Sequence, residues 1–505
     1  MSSRPLLGAA LVVLGAASAS ACQAPSSAAP SPAPDESPGL TAAVDENPDA
    51  HVFELHLEAK VATVEWIAGL KTTAWTYNGT VPGPLIDVAV GDELRVHFKN
   101  ALPEPTTIHW HGLRIPNAMD GAPAVQSPVP PGGTFEYAFT FKDPGLYWFH
   151  PHVRSDAQIR RGLYGVIRVR GPNEPAVDHE HVVVLDDATL GADGALPADL
   201  DDYAQLPQDQ KIHGRSGPTI LVNGRADRVI ELQAGAVHRF RFVNTANLRY
   251  FNLAVPGYVW RVIGTDGSLF EKPYDLDHLL IGPAERYDAL LIPNGKPGAL
   301  LNVQSDAYPR AEDDPQPATK VVTFRISDQP ALRGRTLPDA LPGVGVPRLA
   351  VPPGPPIEIE LDQGTIGGIE GYTLPPMDGM TAMPGDPVFV INKKAGMDIP
   401  PVRAAVGDVK TFTIHNVSHQ IHVFHLHGFF FQVVDTTDDF DPKLNPLGLH
   451  PEMYTQAEKD TITVRSGYAV TIVARLDSPG KWMFHCHIPE HSERGMMTEV
   501  HVGVP

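Results

Sequence analysis

Residues 77–100 read YNGTVPGPLIDVAVGDELRVHFKN, and the same pattern returns twice later in the chain. The second copy is LVNGRADRVIELQAGAVHRFRFVN at residues 221–244, and the third is VINKKAGMDIPPVRAAVGDVKTFTIHN at residues 390–416. In every copy a glycine lies nine residues before the last asparagine, with alternating apolar residues between them. This alternation is typical of strands with one buried face. The repetition therefore predicts three related β-domains.

The copies divide the chain into predicted domains at residues 45–172, 173–330 and 357–505, which we call the first, middle and third repeats. A chain of 505 residues is long enough for about three domains. Its 51 prolines and 45 glycines indicate many turns, so we predict an all-β protein of Greek-key β-sandwiches. Residues 331–356 are too rich in proline for a helix or a central strand, and we interpret them as a linker.

The N-terminal residues 1–22 have the pattern of a secretory signal. One positive charge, Arg4, precedes an apolar run that is too short to cross a bilayer. Residues 19–21 fit either a lipoprotein cleavage site, which would leave Cys22 lipid-anchored, or an ordinary cleavage site. A flexible spacer rich in Ala, Pro and Ser follows at residues 23–44. We therefore expect an exported protein of the periplasm or cell envelope.

Charge and cysteine content restrict the partners and the chemistry. The net charge of −20 disfavours nucleic acid and anionic membrane surfaces as partners. The chain has two cysteines, Cys22 and Cys486, so we expect no disulfide in the mature protein. A free thiol in an oxidising compartment is best explained by a bound metal. Cys486 is therefore a candidate metal ligand.

Four histidine pairs occupy matched positions in the first and third repeats. One pair in each of these repeats lies nine and eleven residues beyond the last asparagine of the pattern: His109 and His111, and His425 and His427. The other pair begins six residues after the proline of a Pro-Gly turn: His150 and His152, and His485 and His487. The same counting in the middle repeat leads to Leu253, Val255, Val303 and Ser305. Isolated pairs of this kind are common on exposed strands, but matched pairs in two repeats indicate metal ligands. We predict that these eight imidazoles line a seam between the first and third repeats.

The third repeat has three further candidate ligands that the other repeats lack, namely His422, Cys486 and His491. Met496 lies ten residues beyond the cysteine, and Met497 is the alternative thioether. Two imidazoles, a thiolate and a long axial thioether suit a trigonal copper site. Side chains alternate on a strand, so Cys486 would face away from the histidines on either side of it. The residues thus predict two metal sites joined by a few covalent bonds.

Four segments resemble the four copper signatures of the multicopper oxidases, and in particular the three-domain bacterial laccases and cuprous oxidases. These segments are HWHG at residues 109–112, HPH at 150–152, HVFHLHG at 422–428 and HCHIPEHSERGM at 485–496. The resemblance covers essentially the whole mature chain. It implies three cupredoxin-like Greek-key β-sandwich domains and four bound copper ions.

The resemblance also implies a role for each ligand. Type 1 copper would bind His422, Cys486, His491 and Met496, and type 2 copper would bind His109 and His425. The type 3 pair would bind the other six histidines of the matched pairs: His111, His150, His152, His427, His485 and His487. Family members pass electrons from a reductant through the cysteine and its neighbouring histidines, and reduce O2 to water. His485, Cys486 and His487 would therefore form the electron path.

Proton delivery is less well defined by the sequence. Asp120 resembles the carboxylate that family members place near the type 2 copper, although an aspartate that caps an Asp-Gly turn is the alternative. Many bacterial members have a glutamate directly after the last histidine of the fourth segment, whereas this chain has Ser492. Glu490 and Glu493 are displaced from that position, and the sequence does not favour either as a proton donor.

The reductant is predicted to be a phenol or an aromatic amine, with O2 as the acceptor and the protein as a monomer. A Cu(I) oxidase is the alternative, because Met377, Met380 and Met383 lie three residues apart near Asp378 and Asp386, and soft thioethers suit Cu(I). Methionines that pack onto the third repeat would give the same pattern. A copper-binding protein without turnover is a further alternative. It is disfavoured because all twelve ligands are present.

Overall fold

The computed structural model describes residues 36–437 except 202, 312–313, 342 and 366–384, together with residues 453, 455 and 457–504. These residues form β-sheets with a few short helices, so the predicted all-β fold is confirmed. None of the helices in the described residues combines the length and the hydrophobicity that crossing a bilayer requires. The predicted signal, Cys22 and most of the spacer lie outside the described residues.

The first repeat contains two four-stranded sheets. Its strands are Val52–Val64 (β1), Thr72–Tyr77 (β2), Ile86–Ala89 (β3), Glu93–Ala101 (β4), His109–His111 (β5), Thr134–Thr140 (β6), Gly145–His150 (β7) and Gly165–Arg170 (β8). One sheet has the order β2-β1-β4-β6 and the other has the order β3-β8-β7-β5. A helical turn, Asn117–Met119, and a short helix, Ser155–Arg160 (α1), follow β5 and β7 respectively.

The middle repeat contains a larger pair of sheets. Its strands are His179–Ala188 (β9), Thr219–Val222 (β10), Val229–Leu232 (β11), His238–Asn244 (β12), Phe251–Ala254 (β13), Trp260–Thr265 (β14), Ser268–Leu276 (β15), Leu279–Ile281 (β16), Arg286–Leu291 (β17), Leu300–Ser305 (β18), Tyr308–Ala311 (β19), Asp314–Gln316 (β20) and Thr319–Ile326 (β21). The sheet orders are β10-β9-β12-β17-β14-β15 and β11-β21-β18-β13-β16, and β19 pairs with β20. The helical segments are Ala198–Asp201, Tyr203–Gln205 and Gln208–His213 (α2).

The third repeat contains two five-stranded sheets. Its strands are Ile357–Thr365 (β22), Pro387–Ile391 (β23), Val402–Ala404 (β24), Asp408–Asn416 (β25), His422–Leu426 (β26), Phe431–Thr436 (β27), Thr461–Val464 (β28), Ala469–Leu476 (β29), Gly480–Cys486 (β30) and Met497–Val502 (β31). The orders are β23-β22-β25-β29-β27 and β24-β31-β30-β26-β28. Gly396–Asp398 and Pro489–Ser492 (α3) are helical, and the described part of residues 331–356 has neither helix nor strand.

Asparagines in the repeated pattern explain why the pattern recurs. The first asparagine of each copy, at 78, 223 and 392, has a left-handed backbone with φ of 53°, 48° and 53°. The last asparagine, at 100, 244 and 416, is buried. In each copy its side-chain amide donates to two carbonyls and its oxygen accepts the N–H two residues later. A buried side chain that satisfies three backbone groups holds the adjoining loops in place.

Two neighbouring strands bring the histidine segments of each outer repeat together. In the first repeat β5 pairs with β7, so that His109 lies opposite His150. In the third repeat β26 pairs with β30, so that His425 lies opposite His485. On β5, Trp110 lies between His109 and His111 and faces the core, and Leu426 does the same between His425 and His427. The alternation of a strand therefore presents both histidines of a pair on one face.

The corresponding strands of the middle repeat are offset from the prediction. Leu253 on β13 pairs with Ser305 on β18, whereas counting from the Pro-Gly turn matches it with Val303. The reason is that β18 begins two residues after Gly298, while β7 and β30 begin at the glycine of the turn. Leu253 and Val303 are both fully buried in an apolar core.

Candidate metal centres

The eight predicted histidines of the matched pairs converge at one place between the first and third repeats. All are buried, and the most exposed of them, His152, has 7% of its surface accessible. Their ring nitrogens form groups of three within 4.8 Å of one another: His111 with His150 and His487, His152 with His427 and His485, and His109 with His111 and His425. Each group combines ligands from both repeats. The structure thus brings together histidines of the two outer repeats that the sequence places more than 270 residues apart.

Most of these rings use one nitrogen to hold the ring and leave the other without a partner. Nδ1 of His109 donates to the Asp120 carbonyl at 2.8 Å, and Nδ1 of His425 donates to the Asp460 carbonyl at 2.8 Å. Their Nε2 atoms, like those of His150 and His487, are buried without a hydrogen-bond partner. A buried, unpaired imidazole nitrogen is costly, and metal ligation is the usual reason for it.

Burial lowers the pKa of seven of these eight imidazoles and so favours their neutral form. Burial and then the neighbouring imidazoles hold the pKa of His150, His427 and His485 well below the usual value for histidine. Burial and then His425 do the same for the pKa of His111. Since metal ligation requires the neutral form, these seven histidines can bind a metal without first losing protons.

Two aspartates support the cluster in matching ways. Asp120 accepts from His109 through its carbonyl and from Nδ1 of His427 through its carboxylate at 2.9 Å. Asp460 accepts from His425 through its carbonyl and from Nε2 of His111 through its carboxylate at 3.1 Å. Each aspartate therefore holds two histidines. One is the first histidine of a pair in its own repeat, and the other is the second histidine of a pair in the other outer repeat. The carboxylates fix which nitrogen faces the cluster.

Asp460 was not identified from the sequence. It is fully buried, and Arg286 of the middle repeat binds both of its carboxylate oxygens, at 2.7 and 2.5 Å. Burial alone would raise the pKa of Asp460, but the charge and hydrogen bonds of Arg286, together with hydrogen bonds from His111 and His425, hold this pKa well below the usual range. The residue is therefore an anion in the folded protein.

A second cluster lies within the third repeat and consists of the three residues unique to it. Nδ1 of His422 and Nδ1 of His491 are 3.6 and 3.7 Å from Sγ of Cys486, and 3.1 Å from each other. Their Nε2 atoms are held by the Ser418 hydroxyl at 2.8 Å and the Ile212 carbonyl at 3.1 Å. Two nitrogens and a sulfur thus converge in the arrangement that a trigonal metal site requires.

The thiol of Cys486 is fully buried, and burial raises its pKa to about 12. A metal would have to displace its proton. Met496 is also fully buried, and its carbonyl accepts the Cys486 N–H at 3.0 Å, whereas Met497 is half-buried on β31. His485 and His487 belong to the other cluster, so the chain itself links the two clusters through Cys486.

A wide pocket of about 1080 Å³ lies beside the second cluster. It is formed by the middle and third repeats, and its walls include Ile212, Arg310, Asp362, Val417, Ser418 and His419. Ser418 and Ile212 are the residues that hold the two histidines of the cluster. The pocket therefore reaches within one hydrogen bond of both candidate ligands.

Other residues singled out in the sequence lie elsewhere. Glu490 pairs with Arg215, and Glu493 accepts from Ser155. Asp386 is buried and pairs with Lys211 at 3.0 Å. The three spaced methionines and Asp378 lie outside the described residues.

Comparison with known proteins gives matches over all three repeats. Sequence profiles described as "Multicopper oxidase" match residues 58–174, 181–325 and 371–505. The multicopper oxidase MmcO of Mycobacterium tuberculosis is 30% identical, with 92% of this chain and 90% of that protein covered. A laccase of Bacillus subtilis is 26% identical, with 86% and 91% covered.

Solved structures give the same result. A multicopper oxidase from Campylobacter jejuni, described as a metallo-oxidase, has a TM-score of 0.74 and 27% identity to this chain. The match covers 93% of this chain and 96% of that one. The likeness therefore extends over almost the entire length of both proteins.

Proposed function

This chain belongs to the multicopper oxidases, and we propose from that premise that it is a laccase-type enzyme whose reductants are phenols and aromatic amines. It is an oxidoreductase that uses copper, takes electrons from a small-molecule reductant or from Cu(I), and gives them to O2. Within that activity, the choice of reductant and the ligand assignment are proposals that the described geometry supports.

The proposed ligand assignment places one copper on His422, Cys486, His491 and Met496. The other three would occupy the eight-histidine cluster, with His109 and His425 on one of them and three histidines on each of the others. Converging nitrogens without hydrogen-bond partners support this assignment, and so does the donor set, because neutral imidazole, thiolate and thioether are ligands that copper takes. Bound copper would supply one-electron chemistry at the first site and the four-electron reduction of O2 to water at the second.

The pocket beside the Cys486 cluster is the observation that favours an aromatic reductant. It is wide enough for an aromatic ring, and Val417, with 52% of its surface exposed, offers an apolar face at its wall. None of the described residues that line it is a methionine or a cysteine. A site built for Cu(I) would be expected to present such soft ligands.

The chain's own residues then define a short route between the two clusters. A reductant in the pocket contacts Ser418 or Ile212, which hold the two histidines that face Cys486. From Cys486 the backbone leads directly to His485, whose Nδ1 donates to the Cys486 carbonyl at 2.8 Å. This arrangement separates the reductant from O2 while it keeps the two clusters in covalent connection.

Asp120 is proposed to handle protons for the reduction of O2. Asp120 is 1% exposed, and its carboxylate accepts from Nδ1 of His427, at the margin of the eight-histidine cluster. A carboxyl group there can take a proton and pass it on. Asp120→Asn should therefore lower turnover and flatten its pH profile while the blue colour of the Cys486 copper stays unchanged. An unaltered pH profile would contradict this role.

Oxygen uptake tests the choice of reductant. We expect the copper-loaded enzyme to consume O2 with a methoxyphenol, and Val417→Trp to raise KM for the phenol by filling the pocket. Val351, which is 55% exposed and is not among the residues that line the pocket, gives a matched control, Val351→Trp. Equal KM values in both variants would contradict the proposed binding site. Failure of all phenols alongside turnover of Cu(I) would contradict the proposed reductant.

Oxidation of Cu(I) is the second candidate function. The Campylobacter jejuni structure carries the description metallo-oxidase, and the three spaced methionines begin twelve residues along the chain from Thr365, which lines the pocket. Replacement of Met377, Met380 and Met383 by leucine should leave phenol oxidation unchanged under the main proposal. A selective loss of Cu(I) turnover would instead favour the metal as substrate.

Export to the periplasm or cell envelope is also proposed, on the pattern of residues 1–22. Lipidation at Cys22, a monomeric state and the domain boundaries at residues 172, 330 and 357 are proposals of the same kind. Mass spectrometry of the protein purified from its own membranes would show whether Cys22 carries acyl chains.

A further inference from the structure

Arg286 is a fully buried cation that joins all three repeats at the edge of the eight-histidine cluster. It lies on β17 of the middle repeat and pairs with Asp460 of the third. Its Nε donates to the Leu146 carbonyl of the first repeat at 3.0 Å, and its guanidinium lies 5.7 Å from the centre of the Tyr147 ring. All three guanidinium nitrogens are therefore held by hydrogen bonds, although the middle repeat contributes none of the proposed ligands.

Register comparison shows that Arg286 is not part of the common scaffold. The residue before the last asparagine of the pattern pairs with Arg286 in the middle repeat, with Thr134 in the first and with Ala469 in the third. Two small residues thus occupy the positions equivalent to a long cation. A buried arginine at one of three equivalent sites indicates a local requirement rather than a requirement of the fold.

Gly112 provides the space for the ion pair. It directly follows His111 and has a left-handed backbone with φ of 85°. A Cβ atom there would lie 2.5 Å from Nη2 of Arg286 and 2.6 Å from Oδ2 of Asp460. The absence of a side chain at residue 112 is therefore what lets the guanidinium and the carboxylate lie against the histidine segment.

His111 is oriented differently from the cluster histidines whose free nitrogen is Nε2. Its Nε2 donates to the Asp460 carboxylate and lies equally close, at 3.1 Å, to the hydroxyl of Thr461, which itself donates to that carboxylate; Nδ1 is the buried nitrogen without a partner. His109, His150, His425 and His487 instead leave Nε2 free. An ionised carboxylate can accept hydrogen bonds but cannot donate them. The Asp460 carboxylate therefore requires the N–H of His111 to be at Nε2, which leaves Nδ1 free and accounts for the inversion.

The matching aspartate, Asp120, has no such support. Among the contacts of the described residues its carboxylate meets only His109 and His427, and no arginine or lysine. Asp120 and Asp460 thus have similar contacts with the cluster histidines, but only Asp460 is paired with a cation of the middle repeat, Arg286.

We infer that Arg286 is a positioning residue for the eight-histidine cluster: it holds the Asp460 carboxylate so that His111 turns Nδ1 toward the metal. The middle repeat is then more than a spacer between the outer two. Outer contacts of this kind typically affect metal affinity by about 10–100-fold when they are removed. The inference relies on the proposed function only for the identity of the metal.

Copper content and colour test this inference together. Arg286→Gln should retain the blue band of the Cys486 site and should bind copper in the eight-histidine cluster about 10–100-fold more weakly. O2 reduction should fall with the cluster copper. Arg286→Lys keeps the charge but not the planar fork, so its cluster occupancy should lie between those of the wild type and Arg286→Gln.

Arg249 gives the matched control. It is a buried arginine of the same repeat that pairs with Asp187 at 2.7 Å and donates to the Gly217 carbonyl. Neither of these partners belongs to the eight-histidine cluster or contacts it through the bonds described above. Arg249→Gln should destabilise the metal-free protein to a similar extent and should keep all four coppers. If Arg286→Gln does not fold, Arg286→Lys and Arg249→Lys provide the same comparison.

Two results would overturn the inference. One is full cluster occupancy in the Arg286 variants that fold, and the other is an equal loss of cluster copper in the Arg249 variant, which would reduce the role of Arg286 to general stability. A wild-type protein that binds no blue copper and fewer than four ions would instead contradict the proposed function. That failure is distinguishable because it does not require any variant.

Discussion

The middle and third repeats have the same scaffold and opposite roles. In both, the last asparagine of the sequence pattern satisfies three backbone groups, and the first strand of the repeat runs parallel to the strand that ends in that asparagine. Where the third repeat presents His425 to the seam, the middle repeat places Leu253 in a core. The comparison shows that hydrogen-bonded turns specify the sandwich, while a few residues on two neighbouring strands of each outer repeat specify the metal site.

Removal of the thiolate should have the largest effect on this contrast. Cys486→Ser replaces the sulfur at the centre of the second cluster, so the blue band and the oxidation of reductants should both fall to background. The metal-free protein should remain folded because the cysteine contributes no disulfide. Absorbance and oxygen uptake measure the two effects. Asp306→Ser is the control and should change neither. The strand register of the middle repeat, in which Leu253 lies opposite Ser305 as His425 lies opposite His485 in the third, makes Asp306 the equivalent of Cys486.

A histidine placed in the middle repeat should not create a metal site. Leu253→His removes a fully buried apolar side chain and buries a polar ring without partners, at a cost of about 2–5 kcal/mol. Urea unfolding of the metal-free protein measures the loss, and Val229→His at a position 44% exposed is the control. A fifth bound copper, or unchanged stability, would show that strand position alone is enough to build a site.

The scaffold asparagines should be equivalent in all three repeats. Asn100→Ala, Asn244→Ala and Asn416→Ala each leave buried backbone groups without partners, so each should lower the free energy of unfolding by about 1–3 kcal/mol. The exposed Asn294→Ala should have little effect. Similar losses at the three buried sites would support a shared scaffold. A loss confined to the outer repeats would indicate that these asparagines serve the metal sites instead.

Acidity should separate the two clusters. The Cys486 thiol, with its pKa raised to about 12 by burial, must release a proton when it binds copper, whereas the buried histidines are already neutral. Affinity of the Cys486 site for Cu(I) should therefore rise about tenfold per pH unit between about pH 6 and 8. Chelator competition measures it, and Cys486→Ser serves as the reference. A pH-independent difference between the two proteins would mean that the thiol is already ionised.

Much of the fold and of the candidate site follows from counting along strands. The spacing from the last asparagine locates His109 and His425 correctly because the turn it caps has the same length in both outer repeats. Counting fails at Val303, since β18 of the middle repeat starts two residues later than β7 and β30 start. Spacing is thus reliable only where the turn before the strand is conserved in length between repeats.

Asp460 and Arg286 could not be predicted in this way. Asp460 acts across the seam on His111, almost 350 residues earlier in the chain, so that no local pattern marks it. Arg286 does leave one signal, because the equivalent positions are Thr134 and Ala469, but that equivalence is defined by strand register and not by sequence spacing. Contacts between repeats depend on how the sandwiches pack, which the period of a strand does not specify.

Anomalous X-ray diffraction at the copper edge, on crystals of the copper-loaded protein, tests the central claim most directly. The account predicts one peak among His422, Cys486 and His491, three peaks within the eight-histidine cluster, and none in the middle repeat. Copper bound in the middle repeat, or an empty seam beside an occupied Cys486 site, would contradict it.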